Sequence, residues 1–131
     1  MMNTPSLSAL KIRKKSAVLE LSYSDNTCLS VSFELLRVYS PSAEVQGHSG
    51  QRSVLQVGKS DVQIERIETV GNYGIQIYFD DGHSTGIYSW PYLYDLARNQ
   101  QQYQDNYLER LAAAGKSRIT GAVQIMDFKK H

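Results

Sequence analysis

The residues able to do chemistry gather at a turn. Asp80-Asp81-Gly82-His83 puts two carboxylates and an imidazole within four positions. His48, Glu44 and Cys28 are further candidates, and with His83, Asp80 and Asp81 they could meet around a metal ion. Histidine with carboxylates suits iron or manganese better than zinc. No spacing among these residues is that of a metal motif. The competing reading makes Asp80 and Asp81 turn formers and the histidines hydrogen-bonding partners.

Other chemistries fail on spacing. Val57-Gly-Lys-Ser60 resembles the end of a phosphate-binding loop, but the glycine that motif needs five residues before Gly58 is Ser53, so Lys59 reads as a solvated loop charge. Cys28, the one cysteine, falls on the outward register of a strand with no base beside it in sequence, and reads as an inert small residue. No Gly-x-Ser-x-Gly elbow is present. His48-Ser-Gly and His83-Ser-Thr lack the acidic residue of an iron-binding His-x-Asp/Glu pair. A non-enzymatic protein is therefore expected.

Composition narrows the partners. The chain has 131 residues, enough for one domain with a real core. Its net charge of +1 gives no overall pull toward nucleic acid or an anionic membrane. Lys11-Ile-Arg-Lys-Lys15 with Lys116, Arg118, Lys129 and Lys130 reads as a solvated basic face, so no nucleic acid is expected. A single cysteine excludes an intrachain disulfide and four-thiolate metal sites. No apolar run approaches a membrane span, and a cytoplasmic location is expected.

The elements that must position these residues follow from periodicity. Residues 1–8 read as a disordered lead-in. Strands are predicted over Leu10–Lys15, Ala17–Tyr23 and Cys28–Phe33, the last with Leu29, Val31 and Phe33 inward. Ser24-Asp-Asn-Thr27 is a turn, and Glu34–Arg37 one helical turn capped by Ser32. Ser40 to Ser60, rich in serine and glycine, reads as a long functional loop. A strand over Asp61–Val70 is followed by a Gly71-Asn72 turn, then a strand with Ile75, Ile77 and Phe79 on one face. Around Asp80-Asp81-Gly82, a three-residue loop would set Phe79 opposite His83 and Ile75 opposite Ile87, whereas a two-residue loop would set Ile75 opposite Tyr88. The first is preferred because it pairs two isoleucines. Helices are predicted over Tyr92–Arg98 and Gln101–Ala114, the second with a stripe of Tyr103, Tyr107 and Leu111 widened by Leu108, and stopped at Gly115. The tail, 116–131, supplies one extra strand over Ile119–Met126 or stays loose. Tyr23-Ser-Asp-Asn-Thr-Cys28 also echoes Tyr78-Phe-Asp-Asp-Gly-His83, which sets Cys28 against His83.

Two segments together carry a resemblance. Leu36-Arg-Val-Tyr-Ser-Pro-Ser-Ala-Glu-Val-Gln-Gly-His48 and Gly71-Asn-Tyr-Gly-Ile-Gln-Ile-Tyr-Phe-Asp-Asp-Gly-His-Ser-Thr-Gly-Ile-Tyr-Ser-Trp90 resemble the gamma-butyrobetaine hydroxylase-like N-terminal domain family, over roughly residues 10 to 98. In its hydroxylase branch the domain precedes an iron/2-oxoglutarate catalytic domain and holds zinc with a Cys-x-Cys-x-x-Cys run and the hairpin histidine. A relative is appended to P-loop ATPases that carry iron–sulfur clusters, and stand-alone bacterial members have no settled activity. Here Ser40, Ser42 and Val45 stand at the cysteine positions, and only His83 matches a ligand. Serine hydroxyls are poor zinc ligands and valine is none, so the resemblance implies a family fold without the family zinc.

The expectation is an α+β fold: a mainly antiparallel sheet of five to six strands, short helices after the hairpins and a C-terminal helix, with the family domain spanning residues 9–115. The expected role is an accessory or interaction domain with an unidentified protein partner, linked by the resemblance to iron–sulfur or iron metabolism. Arg37, Ser40, Pro41, Ser42, Glu44, His48, Asp81, Gly82 and His83 would form its contact surface, with Tyr88 and Trp90 as aromatic anchors. No cofactor is expected. The alternative is a domain binding iron or zinc through His83 with His48 or nearby carboxylates such as Asp81.

Overall fold

A computed structural model describes residues 4–46 and 54–119. Its order is β1 (Leu7–Arg13), β2 (Val18–Tyr23), β3 (Cys28–Ser32), α1 (Phe33–Val38), α2 (Ala43–Gln46), β4 (Ile64–Val70), β5 (Gly74–Phe79), β6 (Ile87–Ser89), α3 (Trp90–Arg98) and α4 (Gln100–Ala114). The fold is α+β, but its six strands form two three-stranded antiparallel sheets, β1-β2-β3 and β4-β5-β6, and not one sheet of five to six. One cause is visible at the edge of β3. The Gln100 side chain accepts from Ser32 N–H at 2.9 Å and donates to Ser30 C=O at 2.9 Å, so a glutamine occupies backbone groups that another strand would have paired.

Both sheets follow alternation. Leu19, Leu21 and Tyr23 of β2 are buried, as are Ile75, Ile77 and Phe79 of β5. They join Val31, Phe33, Leu35, Leu36, Ile64, Tyr88, Leu93 and Leu96 in one core drawn from both halves of the chain. Phe33 is buried as predicted, although it opens α1 instead of ending β3. Each third strand ends at a serine that caps a helix. Ser32 Oγ accepts from Leu35 N–H, and Ser89 Oγ accepts from Tyr92 N–H. Pro91 sits in the first turn of α3, where its missing N–H costs nothing. Gly115 closes α4 in the left-handed conformation.

Several boundaries move. β1 starts at Leu7, so Leu7 and Ser8 of the expected lead-in are in a strand, and Ser8 Oγ donates to Ser22 C=O. β4 starts at Ile64, because Lys59 to Val62 is a turn closed by Val62 N–H on Lys59 C=O. Within the expected loop of residues 40–60, Ala43–Gln46 is one helical turn. Leu108 is 41% exposed and does not widen the buried stripe of Tyr107 and Leu111. The tail is docked at its start: Gly58 N–H and Ser60 N–H donate to the carbonyls of Ser117 and Arg118, and Arg118 forks onto the buried Glu34 at 2.8–3.1 Å. The strand expected over Ile119–Met126 lies, beyond Ile119, outside the described residues.

The β5–β6 hairpin resolves the register question in an unforeseen way. Phe79 N–H donates to His83 C=O, as a three-residue loop requires. Yet Ile75 pairs with Tyr88, and Gln76 with Ile87. The extra residue is absorbed over Ser84 to Gly86, where Gln76 Nε2 takes the Ser84 carbonyl at 2.7 Å. The shift turns Tyr88 into the core and leaves Ile87 37% exposed. Gly82 holds φ +90° in open space, so Gly82→Val is expected to cost roughly 1–3 kcal/mol through backbone strain alone. A thermal melt checks this, and an unchanged midpoint would refute it.

Candidate functional site

The hairpin, the C-terminal end of α1 and the following turn meet at one buried polar cluster. Ser40 is fully buried, Ser42 is 6% exposed and His83 8% exposed. Ser40 Oγ lies 2.8 Å from His83 Nε2 and accepts from Ser42 N–H at 3.3 Å. Ser42 Oγ and Thr85 Oγ1 are hydrogen bonded at 2.7 Å. Tyr88 donates its hydroxyl to Leu36 C=O. Burial pushes the Tyr88 phenol far above its ordinary range, with the Ser40 hydroxyl pulling in the opposite sense. Val45 is 2% exposed. Gly86 admits Ser40: a Cβ there would stand 2.2 Å from Ser40 Oγ.

Beside this network runs an ionic one. Asp81 Oδ1 accepts from His83 N–H at 3.1 Å, and Asp81 Oδ2 accepts from Arg37 Nε at 2.8 Å and Lys59 Nζ at 2.6 Å. Burial alone would raise the Asp81 pKa. The Lys59, His83 and Arg37 hydrogen bonds outweigh it and bring the carboxyl down to about 2. Asp80 instead ties the turn to the chain before β4, through Gln63 N–H at 3.0 Å.

The structure therefore brings together Arg37, Ser40, Ser42, Asp81, Gly82 and His83, with half-buried Pro41 in the same turn. It corrects Tyr88, which is fully buried and cannot anchor a partner at the surface. Trp90 is half-buried and donates Nε1–H to Asn72 C=O. His48 and the side chain of Glu44 lie outside what is described. Lys59, expected to be a solvated charge, is paired with Asp81. It and Thr85 are the members that sequence reasoning missed. Cys28 is exposed, 3.7 Å from Ser22 Oγ.

The donor set at Ser40, Ser42, Val45 and His83 is two hydroxyls, an alkyl group and an imidazole, and it does not fit a tetrahedral zinc ion. Ser40 and His83 are engaged with each other. Among the described residues, no group of three or more His, Cys, Asp or Glu is placed to hold a metal. Nor is any helix there long and apolar enough to cross a membrane.

These features define a small two-sheet α+β domain with a hydrogen-bonded polar cluster between its first helix and its second hairpin. Residues 10–94 match the family described as "Gamma-butyrobetaine hydroxylase-like, N-terminal", and the chain belongs to that family. One protein solved in solution by NMR is 50% identical, with 92% of this chain and 89% of that one covered and a TM-score of 0.78. Another NMR structure is 44% identical, with 89% and 92% covered and a TM-score of 0.77. A crystal structure of a protein of unknown function in the DUF971 family, from Acidithiobacillus ferrooxidans ATCC 23270, is 33% identical, with 70% and 92% covered and a TM-score of 0.58. Among curated proteins, none matches the chain.

Proposed function

We propose that the protein is a non-catalytic interaction domain that contacts a protein partner through the Asp81–His83 hairpin and the Ser40–Ser42 turn, without a bound metal. One observation carries this reading. The groups best suited to nucleophilic or metal chemistry, Ser40 and His83, are buried and hydrogen bonded to each other at 2.8 Å. Such a pair fixes the shape of the loop and hairpin around it. What it presents outward is Gly82 and Thr85, both exposed, beside Asp81, whose side chain is 22% exposed. The family resemblance makes iron–sulfur or iron metabolism the context in which to seek the partner.

The test combines metal analysis of untagged protein with site-specific photo-crosslinking in cells. A photoreactive residue at Thr85 is expected to give one discrete adduct, and the same residue at Glu109 on the exposed face of α4 none. Stoichiometric iron or zinc that disappears in His83→Ala would replace this reading with the metal-binding one. No discrete adduct at Thr85 would remove the interface.

A further inference from the structure

The domain contains the same βββα unit twice. Phe33 N–H donates to Ala17 C=O, as Trp90 N–H does to Tyr73 C=O. Tyr23 N–H reaches Thr27 C=O, as Phe79 N–H reaches His83 C=O. Asn26 (φ 70°) matches Gly82 (φ 90°). Asp25 Oδ1 accepts from Thr27 N–H, as Asp81 Oδ1 accepts from His83 N–H. Ser32 and Ser89 cap the two helices with near-identical backbone angles. The counterpart of His83 is thus Thr27, and not Cys28 as the sequence echo suggested.

Two copies of one scaffold allow an internal comparison. Features in both copies serve the fold; a feature in one copy needs another reason. The Asp accepting a backbone N–H is in both. The cations on Asp81 Oδ2 are not: among the described residues, Asp25 has no ion pair. The fifth residue after the helix cap is Tyr94 in one copy and Arg37 in the other. Tyr94 closes its side with an edge-on ring contact to Tyr23 at 5.2 Å. The scaffold is therefore satisfied by an apolar contact where Arg37 buries a guanidinium, a far costlier group to remove from water.

That guanidinium is not fully used. The Arg37 side chain is nine-tenths buried, and its Nη1, itself buried, has no hydrogen-bond partner among the described residues. Arg37 and Lys59 share one carboxylate oxygen. Among the described residues, the cluster has two cations to one anion and a donor without an acceptor. Its deficit is negatively charged oxygen. Within this ion-paired trio, the Lys59 and Asp81 side chains, each 22% exposed, are the ones that reach solvent.

We propose that Arg37 and Lys59 are a binding site for an oxyanion, a carboxylate or a phosphate, that supplies the acceptor Arg37 Nη1 lacks. This deepens the interface reading above, and rests on it for its biological sense, by naming the chemistry that reaches the hairpin.

The test is a heteronuclear NMR titration of the full chain with inorganic phosphate, and separately with a blocked tetraglutamate peptide, at ionic strength held constant with sodium chloride. Saturable shifts at the Arg37 Nε–H and the Asp81 and His83 amides are expected with at least one probe. Phosphate alone would identify a free anion, and the peptide alone a carboxylate on a partner. Arg37→Tyr, which installs the other copy's residue, is expected to keep the native spectrum and lose the shifts. No saturable shift with either probe overturns the site, as do shifts that persist in Arg37→Tyr. If Arg37→Tyr does not fold, Lys59→Gln decides: weaker saturation supports the site and unchanged saturation refutes it. A null titration beside a discrete Thr85 adduct would remove the oxyanion site and leave the interface standing.

Discussion

Gly74→Ala is expected to lower stability by about 3 kcal/mol or more. A Cβ at Gly74 would stand 1.9 Å from Tyr88 O, 2.7 Å from Tyr88 C and 2.8 Å from Ser89 Cα. All three atoms are backbone, so no side-chain rotation relieves the clash. β6 would have to leave β5, and Tyr88 would leave the core with it. The equivalent position in the first copy is Val18, opposite Ser32, so the requirement comes from the closer approach of β6 and not from the scaffold. Gly71→Ala is the control. It meets nothing within 4 Å but has φ +50°, and should cost about 1 kcal/mol through backbone conformation alone. Denaturant titration of both variants checks the ordering, and equal midpoints would refute it.

The second large effect is alkaline unfolding. Burial raises Tyr23, Tyr103 and Tyr107 to about 12 each, and pushes Tyr88 and Tyr92 higher still. The folded pKa lies above the unfolded one in every case. The contribution is whole below the unfolded value near 10 and is lost as pH rises toward the folded values. Each fully buried group removes up to about 1.4 kcal/mol per pH unit in that window, and solvent screening reduces the share of the partly buried Tyr103, so the five together remove at most roughly 7 kcal/mol per unit. That rivals the roughly 5–15 kcal/mol of a whole domain. Tyr23 sharpens the effect, because its buried hydroxyl has no hydrogen-bond partner among the described residues even when neutral. Unfolding is expected near about pH 11, with the phenolate absorbance of these tyrosines appearing in one step with the loss of circular dichroism. Gradual ionisation without unfolding would refute the assignment.

Much of the local structure was legible in the residues. Alternation gave β2 and β5 their buried faces, and Ser32, Pro91 and Gly115 marked helix ends, because each acts through its immediate neighbours. The split into two sheets was not, since it involves Gln100 reaching Ser30 and Ser32 some seventy positions away. The Ile75–Tyr88 pairing was missed because the turn itself is as expected and the slip occurs three residues later, against Ser40. Of the site, Asp81 and His83 stand out from the turn itself, and Ser40 and Ser42 only through the resemblance. Lys59 carries no signal in the sequence, because the phosphate-loop spacing around it fails, and only the fold reveals its carboxylate.

The doubled unit separates two kinds of order. Every described strand pairs only with its neighbour in sequence, so each ladder closes through local turns. The apolar faces those ladders create, Leu19, Leu21 and Val31 on one and Ile75, Ile77 and Tyr88 on the other, belong to one shared cluster. Backbone pairing is thus a private matter for each half, while dryness is achieved jointly. Cooperativity in this molecule resides in the seam between the halves, where side chains from one complete the interior of the other.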